Sequence, residues 1–361
     1  MADTKDINLT IATGNMANTN PPPEAMDQLS EQLNSNADLI AISLQEAKAT
    51  WTHNEEVHER VIKRLNKGIE DKNEQYVLLH KDYFRVCTKL SLNNLFNPSR
   101  TSLGLFVKKK YLENAKILSA NSEWSWNSPN KGGQNCVLKF GDKIVIFIGV
   151  HLDTKSSAER EKEVQALMPD EDSKLLKNYK GQINYIILGD LNERLDNRFK
   201  DDRNLNYQDL QKIQNNLINI YDPISNGKTY LTEKLEFSFQ QLTELTYHET
   251  TKDGEVKFKE SRSQYDIGAL DNIGIKGPNL ENNSVNSEVI ELRDSDNHPI
   301  SDHKVVITTL KLKNVDLSSS NNTRSQPNQL FLCSFVASQT FSESQTNETI
   351  TKSSGSTERT T

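Results

Sequence analysis

Residues 183–192 read Ile-Asn-Tyr-Ile-Ile-Leu-Gly-Asp-Leu-Asn, an apolar run that ends in a short polar turn. The run is brief and rich in branched apolar residues, which is typical of a strand covered on both faces. Gly189 permits a tight turn at its end. Asp190 and Asn192 are two apart in an extended segment, so their side chains point the same way. The stretch therefore predicts a buried strand that carries two polar side chains at its end.

Five more segments share these features of a strand, because each is brief, rich in Ile, Val, Leu and Phe, and bounded by polar turn residues. They are residues 7–12, 38–44, 102–107, 143–150 and 304–311. Helices are predicted at 24–33, 55–69 and 157–177. Strands and helices that alternate in this way predict one α/β layered domain.

The composition excludes several classes of protein. The chain has 361 residues, with 43 Lys+Arg and 50 Asp+Glu, so its formal net charge is −7. This negative net charge counts against a protein whose main function is to bind nucleic acid, because such a protein needs a basic surface. A membrane span needs about 20 consecutive apolar residues, and runs such as 144–150 are far shorter. The N-terminus is acidic where a signal peptide is basic and then apolar, so we expect a cytoplasmic protein.

Two further features concern cysteines and the C-terminus. Cys87, Cys136 and Cys333 are far apart with no C-x-x-C pair, which argues against a disulfide framework, a disulfide-linked partner and a zinc-thiolate site. Residues 313–361 are dominated by Ser, Thr, Asn and Gln, which predicts a disordered tail. We therefore place the catalytic domain at residues 7–312 and the tail at 313–361.

Almost every predicted strand ends in a group suited to metal or phosphate chemistry. These groups are Asn15, Glu46, His151, Asp190 with Asn192, and Asp302 with His303. Strand ends on one edge of a layered sheet converge. Mg²⁺ prefers carboxylate and amide oxygens and keeps waters that can act as nucleophiles. The set predicts a magnesium-assisted phosphoester site.

Each of these residues also has a plainer interpretation when it is taken alone. Glu46 fits a solvated strand end, His151 fits a core or edge histidine, and Asp302-His303 fits ordinary turn chemistry. It is the whole set in this order that indicates a site.

Five motifs resemble, in order and spacing, the signature of the endonuclease/exonuclease/phosphatase superfamily. They are Asn15, Leu44-Gln45-Glu46, His151-Leu152, Gly189-Asp190-Leu191-Asn192 and Ser301-Asp302-His303. The run Gly-Asp-Leu-Asn-Glu-Arg-Leu at 189–195 is most similar to the inositol polyphosphate 5-phosphatase version, Gly-Asp-Leu-Asn-Tyr-Arg-Ile/Leu. Asn130-Lys131-Gly132-Gly133 is similar to the Gly-Asn-Lys-Gly-Gly turn of that branch, although it also fits a hairpin turn. Leu245-Thr246-Tyr247 resembles the Pro-Thr-Tyr segment. The resemblance implies a single-domain sandwich of two sheets flanked by helices, four layers in all.

The resemblance implies a metal site and a substrate. Glu46 would be the main Mg²⁺ ligand, helped by Asn15 directly or through a metal-bound water, with Asp302 on the metal side and Mn²⁺ as a substitute metal. The substrate would be an inositol polyphosphate or a phosphoinositide cleaved at the 5-position, with peripheral membrane contact where the substrate is a lipid.

The resemblance also implies catalytic roles. Asp190 would orient or deprotonate the attacking water, and Asn192 would donate its amide to the phosphate or the nucleophile. His303 would stabilise charge on the phosphoryl oxygens, and His151 would contact the phosphate. Asp271 would orient His303 and favour its charged form, with Asp266 as the rival for that role.

Departures from the family pattern fall mainly on substrate binding. His151-Leu152-Asp153-Thr154-Lys155 lacks the second histidine of His-Leu-Ala-Ala-His, and Lys155 replaces it as a cation. Lys259 and Arg262 resemble the family's basic substrate clamp and also fit a solvated charged loop. Arg194 matches the arginine of the 5-phosphatase motif and joins the predicted substrate-binding residues. The segment 263–273 has no tryptophan, and Asn272 stands where the family has arginine.

Three hypotheses of function follow from these observations. The first is an Mg²⁺-dependent phosphomonoesterase that acts on inositol polyphosphates or phosphoinositides. The second keeps the fold and metal but cleaves diesters, as a nuclease or a sphingomyelinase-like enzyme would. The third is a catalytically silent scaffold. The net charge counts against a nuclease, and Glu46, Asp190, Asn192 and His303 together count against silence.

Overall fold

Two mixed β-sheets pack face to face in this protein. Its computed structural model describes residues 4–33, 36–48, 57–85, 99–124, 131–154, 156–193, 218, 222–242, 244–247, 269–282 and 287–318. Lys155, Arg194, Lys259, Arg262 and Asp266 lie outside these residues. The strand predictions at 7–12, 38–44, 102–107, 143–150, 183–188 and 304–311 all fall on strands of the two sheets.

Sheet A has seven strands among the described residues, in the order β11-β13-β1-β2-β4-β3, and β12 also pairs with β13. Its strands are β1 (Thr4–Asn15), β2 (Leu39–Lys48), β3 (Tyr76–Arg85), β4 (Ser99–Lys108), β11 (Leu280–Asn282), β12 (Glu288–Ile290) and β13 (Val305–Asp316).

Sheet B has six strands among the described residues, in the order β5-β6-β7-β8-β10-β9. Its strands are β5 (Ala115–Trp124), β6 (Gly132–Phe140), β7 (Lys143–His151), β8 (Ile183–Asp190), β9 (Ser238–Phe239) and β10 (Asp271–Lys276).

Helices cover the outer faces of both sheets. They are α1 (Pro23–Gln32), α2 (Val57–Leu65), α3 (Ser157–Leu167) and the short α4 (Tyr230–Glu233). Helix α3 begins at the cap Ser156, whose side chain accepts from the Glu159 amide. It ends at Leu167 rather than at 177, so the predicted helix 157–177 is wrong in its second half. The reason is Pro169, because the residue before a proline is disfavoured in helical conformation, and Met168 is extended.

Three apolar clusters separate the layers. The core between the sheets includes Leu9, Leu105, Phe147 and Leu188. The cluster outside sheet A joins Ile42 to Leu29 of α1 and Val61 of α2. The cluster outside sheet B joins Ile146 and Ile187 to Val164 and Leu167 of α3. The predicted α/β sandwich of two sheets flanked by helices is therefore confirmed.

Strand register brings the polar strand ends to one edge of each sheet. In sheet A, β1 and β2 are parallel and pair Asn15 with Gln45. In sheet B, β7 and β8 are parallel and pair His151 with Asp190, and antiparallel β10 pairs Asp271 with Asp190. Parallel pairing places equivalent strand ends at the same edge.

The boundaries 7–312 and 313–361 stay a prediction. Strands of sheet A extend from Thr4 to Asp316, and Val315 is fully buried in the core between the sheets. Residues 319–361 lie outside the described part of the chain.

Candidate active site

Asn15 links the two sheets at this edge. Its side chain donates from Nδ2 to Oδ2 of Asp190 over 3.1 Å, and both residues are buried. Its own Oδ1 accepts from the backbone amide of Ala17 at 2.9 Å. An amide oxygen has two lone pairs, so Asn15 keeps one for a further partner.

The carboxylate of Glu46 enters the site from an irregular point of β2. The pairing of β2 with β4 shifts register between Leu44 and Ala47, and Glu46 itself has a left-handed φ of 52°. Such a bulge redirects a side chain, which is why bulges occur beside active sites. Asn18 donates from Nδ2 to Oε2 of Glu46 at 2.7 Å.

Gly189 is required by the backbone at the end of β8. Its φ is 154°, and a Cβ at this position would lie 2.0 Å from the carbonyl oxygen of Val150. No other residue fits there, because a side chain would collide with the neighbouring strand. The glycine thereby sets the direction of Asp190, the next residue.

Asp190 and Asn192 form a compact unit after Gly189. Oδ1 of Asp190 accepts from the backbone amide of Asn192 at 3.0 Å. The Asn192 side chain donates to the carbonyl oxygen of Leu152 at 2.8 Å, and its φ is 51°. A side-chain amide carries two hydrogens, so Asn192 retains one for a ligand.

His151 lies between two carboxylates and a lysine. Its Nε2 is 3.3 Å from Oδ2 of Asp190 and 3.7 Å from Oε1 of Glu46, and it also contacts the ammonium of Lys131. Burial, followed by the charge of Lys131, lowers the pKa of His151 below its ordinary value. The Asp190 and Glu46 carboxylates act in the opposite direction and favour the charged imidazole.

Asp190 stays ionised although it is buried. Burial alone would raise its pKa, but the hydrogen bond and charge of His151, then the charges of His303 and Lys131, hold the pKa of Asp190 below its usual range. A carboxylate that is ionised and shielded from solvent can orient a water or accept a proton from it.

His303 and Asp271 form a buried pair. Nδ1 of His303 lies 2.7 Å from Oδ2 of Asp271. The backbone amide of His303 donates to Oγ of Ser301, whose hydroxyl donates to the carbonyl oxygen of Asn15 at 2.6 Å. The loop that carries His303 is thus fixed to the end of β1.

Charge on this pair favours a protonated histidine. Burial alone would lower the pKa of His303, but the Asp271 carboxylate, with the charges of Asp190 and Asp302, raises it to about 9. Burial raises the pKa of Asp271 to about 6, against the attraction of His303. At neutral pH the imidazolium therefore presents a positive charge at the edge where Asp190 also lies.

The oxygen groups at this edge fit a divalent cation. Burial raises the pKa of Asp302; His303 opposes that rise, whereas the negative charges of Glu46 and Asp190 add to it. Carboxylates that repel one another in this way are stabilised by a bound cation, and a set of hard oxygen donors suits Mg²⁺ or Ca²⁺ rather than a soft metal.

The structure brings together the eight predicted site residues that it describes. Asn15, Glu46, His151, Asp190, Asn192, Asp271, Asp302 and His303 lie at one edge of the sandwich, joined by the contacts above. The predicted substrate-binding residues Lys155, Lys259, Arg262 and Arg194 lie outside the described residues.

Sequence reasoning assigned no role to two residues that contact this set. Lys131 belongs to the Asn-Lys-Gly-Gly turn, and its buried ammonium reaches His151. Thr246 accepts at Oγ1 from the backbone amide of Asp271. Both belong to segments that resemble family motifs, Asn130-Lys131-Gly132-Gly133 and Leu245-Thr246-Tyr247, and this resemblance is the signal in the sequence that points to them.

Comparison with known proteins identifies the family. Residues 12–309 match the family described as Endonuclease/Exonuclease/phosphatase family 2. The chain belongs to that family. Enzymes of this family are hydrolases that generally use divalent metals. No curated protein sequence matches the chain.

Solved structures share the fold of this family member at low sequence identity. The inositol polyphosphate 5-phosphatase domain of SPsynaptojanin, in complex with inositol (1,4)-bisphosphate and calcium ion, has a TM-score of 0.62 and 19% identity, covering 88% of each chain. Cimex nitrophorin, as a ferrous NO complex, has a TM-score of 0.55 and 14% identity, covering 85% of this chain and 99% of its own. The fold therefore occurs in proteins of different function, so function must be argued from the site.

Within the described residues of this family member, none of the helices has the length and apolar character required to cross a bilayer.

Proposed function

We propose that the protein is a Mg²⁺-dependent phosphomonoesterase that hydrolyses inositol polyphosphates or phosphoinositides at the 5-phosphate. The observation that carries this proposal is the meeting of Glu46, ionised Asp190 and the Asp271–His303 pair at one edge of the sandwich. Sites that combine a metal-binding carboxylate, a base and a fixed positive charge are suited to phosphoryl transfer to water.

In this proposal Glu46, Asn15 and Asp302 hold the metal. Glu46 is the main ligand, Asn15 has one lone pair of its amide oxygen to offer, and Asp302 lies on the same side. Bound Mg²⁺ would polarise a phosphoryl oxygen and neutralise developing charge, and Mn²⁺ offers similar chemistry with the same ligands.

In this proposal the other catalytic roles belong to protein side chains. Asp190 orients or deprotonates the attacking water, and Asn192 donates its remaining amide hydrogen to the phosphate or the nucleophile. His303, charged and oriented by Asp271, donates to the phosphoryl oxygens as charge builds on them. His151 contacts the phosphate beside Lys131. The oxygen of water bonds to phosphorus as the bond between phosphorus and the ester oxygen breaks. The ester oxygen takes a proton from solvent, the proton of the attacking water passes to solvent by way of Asp190, and inorganic phosphate is released.

Two observations support a phosphorylated inositol as the substrate. The structurally similar 5-phosphatase domain is in complex with inositol (1,4)-bisphosphate, which is the product expected when the 5-phosphate of the trisphosphate is removed. The buried ammonium of Lys131 places a cation beside the proposed phosphate contact His151. Lys155, Lys259, Arg262 and Arg194 are proposed to bind the remaining phosphates.

A substrate panel tests the proposal. Soluble inositol phosphates and vesicles that contain phosphoinositides are incubated with the protein, either with Mg²⁺ or with a chelator, and both free phosphate and the product isomer are measured. We expect phosphate and the isomer that lacks the 5-phosphate, with Mg²⁺ only. Cleavage of a diester without free phosphate would select the phosphodiesterase hypothesis, and binding without turnover would select a silent scaffold.

A further inference from the structure

A short segment, residues 244–247, contacts both members of the Asp271–His303 pair. The hydroxyl of Thr246 accepts from the backbone amide of Asp271 at 2.9 Å, and both residues are fully buried. The carbonyl oxygen of the same Thr246 accepts from the backbone amide of Lys304 at 2.7 Å. One residue is thus bonded to β10 through its side chain and to the entry of β13 through its backbone.

The neighbours of Thr246 strengthen the connection on the His303 side. Tyr247 forms an antiparallel bridge with His303, and the two rings lie 4.6 Å apart between centroids at 48°. Lys304 donates to Oε2 of Glu244 at 2.6 Å. Glu244, Thr246 and Tyr247 thus each contact either His303 or Lys304.

Asp271 and His303 belong to different sheets, so no strand pairing fixes their separation. Asp271 begins β10 of sheet B, and His303 precedes β13 of sheet A. A hydrogen bond of 2.7 Å between their side chains requires that both backbones be held. Thr246 holds both of them.

We propose that Thr246 is a positioning residue that sets the orientation of His303 towards the reacting phosphate by holding Asp271 and the His303 loop together, with Tyr247 limiting rotation of the imidazole. The inference rests on the proposed function, because it assigns His303 a part in the reaction. Thr246 itself touches no substrate in this account.

Two substitutions at position 246 test the role of the hydroxyl. Thr246→Val keeps the shape and removes the acceptor, whereas Thr246→Ser keeps the acceptor and removes a methyl group. We expect Thr246→Val to lower kcat about 10- to 100-fold with KM nearly unchanged, because a displacement of about 1 Å at a reacting group costs on the order of 100-fold. Thr246→Ser should retain most of the kcat.

A spectroscopic measurement gives a result that does not depend on turnover. The chain has seven histidines, and the ring N–H that His303 shares with Asp271 should give a downfield proton signal in the nitrogen-labelled, substrate-free protein. His303→Asn identifies the signal by removing it. We expect the signal to shift or disappear in Thr246→Val and to remain in Thr246→Ser.

Thr308→Val is the matched control. Thr308 is also buried, and its hydroxyl donates to Gln240 at 2.8 Å, away from the pair. We expect this variant to lose stability while keeping the wild-type kcat and ring signal. If Thr246→Val does not fold, Tyr247→Leu is tested instead, because Tyr247 is only half-buried. We expect this variant to lose the ring-current shift on His303 and to have a lower kcat.

Wild-type kcat and an unchanged ring signal in Thr246→Val would overturn the inference, as would equal losses in the valine and serine variants. A protein that hydrolyses none of the substrates, yet shows the expected changes of the His303 signal, would refute the proposed function and leave the positioning role supported.

Discussion

The side chain of Asn15 donates a 3.1 Å hydrogen bond to Asp190, which lies 175 residues away in the chain and in the other sheet. Both residues are buried, and each ends a strand that has a parallel neighbour. The bond fixes the edges of the two sheets to each other at the point where the other candidate groups meet. The site is therefore built by the sandwich itself rather than by a single loop.

Replacement of the proposed base should separate chemistry from stability. Asp190→Asn keeps the size of the side chain but removes the negative charge that orients or deprotonates the water, so we expect kcat to fall at least about 100-fold. Thermal unfolding should show that the protein still folds. Asp294→Asn, at a half-buried position in the loop between β12 and β13, is the control and should keep wild-type kcat. Near-normal turnover in Asp190→Asn would refute the assigned role.

Substitution of Gly189 should reveal how tightly the end of β8 is packed. An alanine Cβ would lie 2.0 Å from the Val150 carbonyl oxygen, so collision and strain should destabilise the protein by at least about 3 kcal/mol. Gly181 has φ of 79° with open space around it, so Gly181→Ala should cost only about 1 kcal/mol. Urea unfolding measures the free energy of unfolding of both variants. Equal losses of stability in Gly189→Ala and Gly181→Ala would show that the end of β8 is not tightly packed.

Six central strands and the strand-end groups could be predicted from the sequence, whereas the central strand β6 was not. Strands such as β7 and β8 are apolar on consecutive residues because both of their faces are covered. The parallel pairs then dictate that His151 and Asp190 lie at the same edge. The family resemblance supplied Asp271, which the structure places against His303.

Other elements could not be predicted, for physical reasons. Strands β3 and β5 lie at the edges of their sheets, where exposed positions carry polar residues and blur the apolar pattern. The contact of Lys131 with His151 depends on where a turn points its side chain, which local sequence does not encode. Thr246 acts through neighbours that are distant in the chain.

Metal binding should stabilise the folded protein through Glu46. A ligand at 100 times its dissociation constant adds about 2.7 kcal/mol when it binds only the native state, so Mg²⁺ should raise the Tm of the wild type. Glu46→Gln removes the main proposed ligand charge and should lose most of this shift. Glu59→Gln, at an exposed ion pair with Lys81, should keep it. An equal shift in the Glu46 and Glu59 variants would exclude Glu46 as a ligand.

The pH dependence should report the charged form of His303. Its pKa is raised from 6.5 to about 9, so the stability gained from its charge is fully present below 6.5 and is lost as pH rises through about 9. Catalysis that needs the imidazolium should decline over the same upper range. In Asp271→Asn the decline in kcat/KM should move towards neutral pH. A decline at the same pH in both proteins would contradict the pairing.

In the proposed function, a water activated in this site attacks the phosphorus of an inositol phosphate monoester. Hydrolysis of inositol (1,4,5)-trisphosphate with Mg²⁺ in ¹⁸O-labelled water measures it directly. We expect one solvent oxygen in each released phosphate and none in the inositol bisphosphate product, with both products absent in Asp190→Asn. Label in the inositol, or no phosphate release from any member of the substrate class, would contradict it.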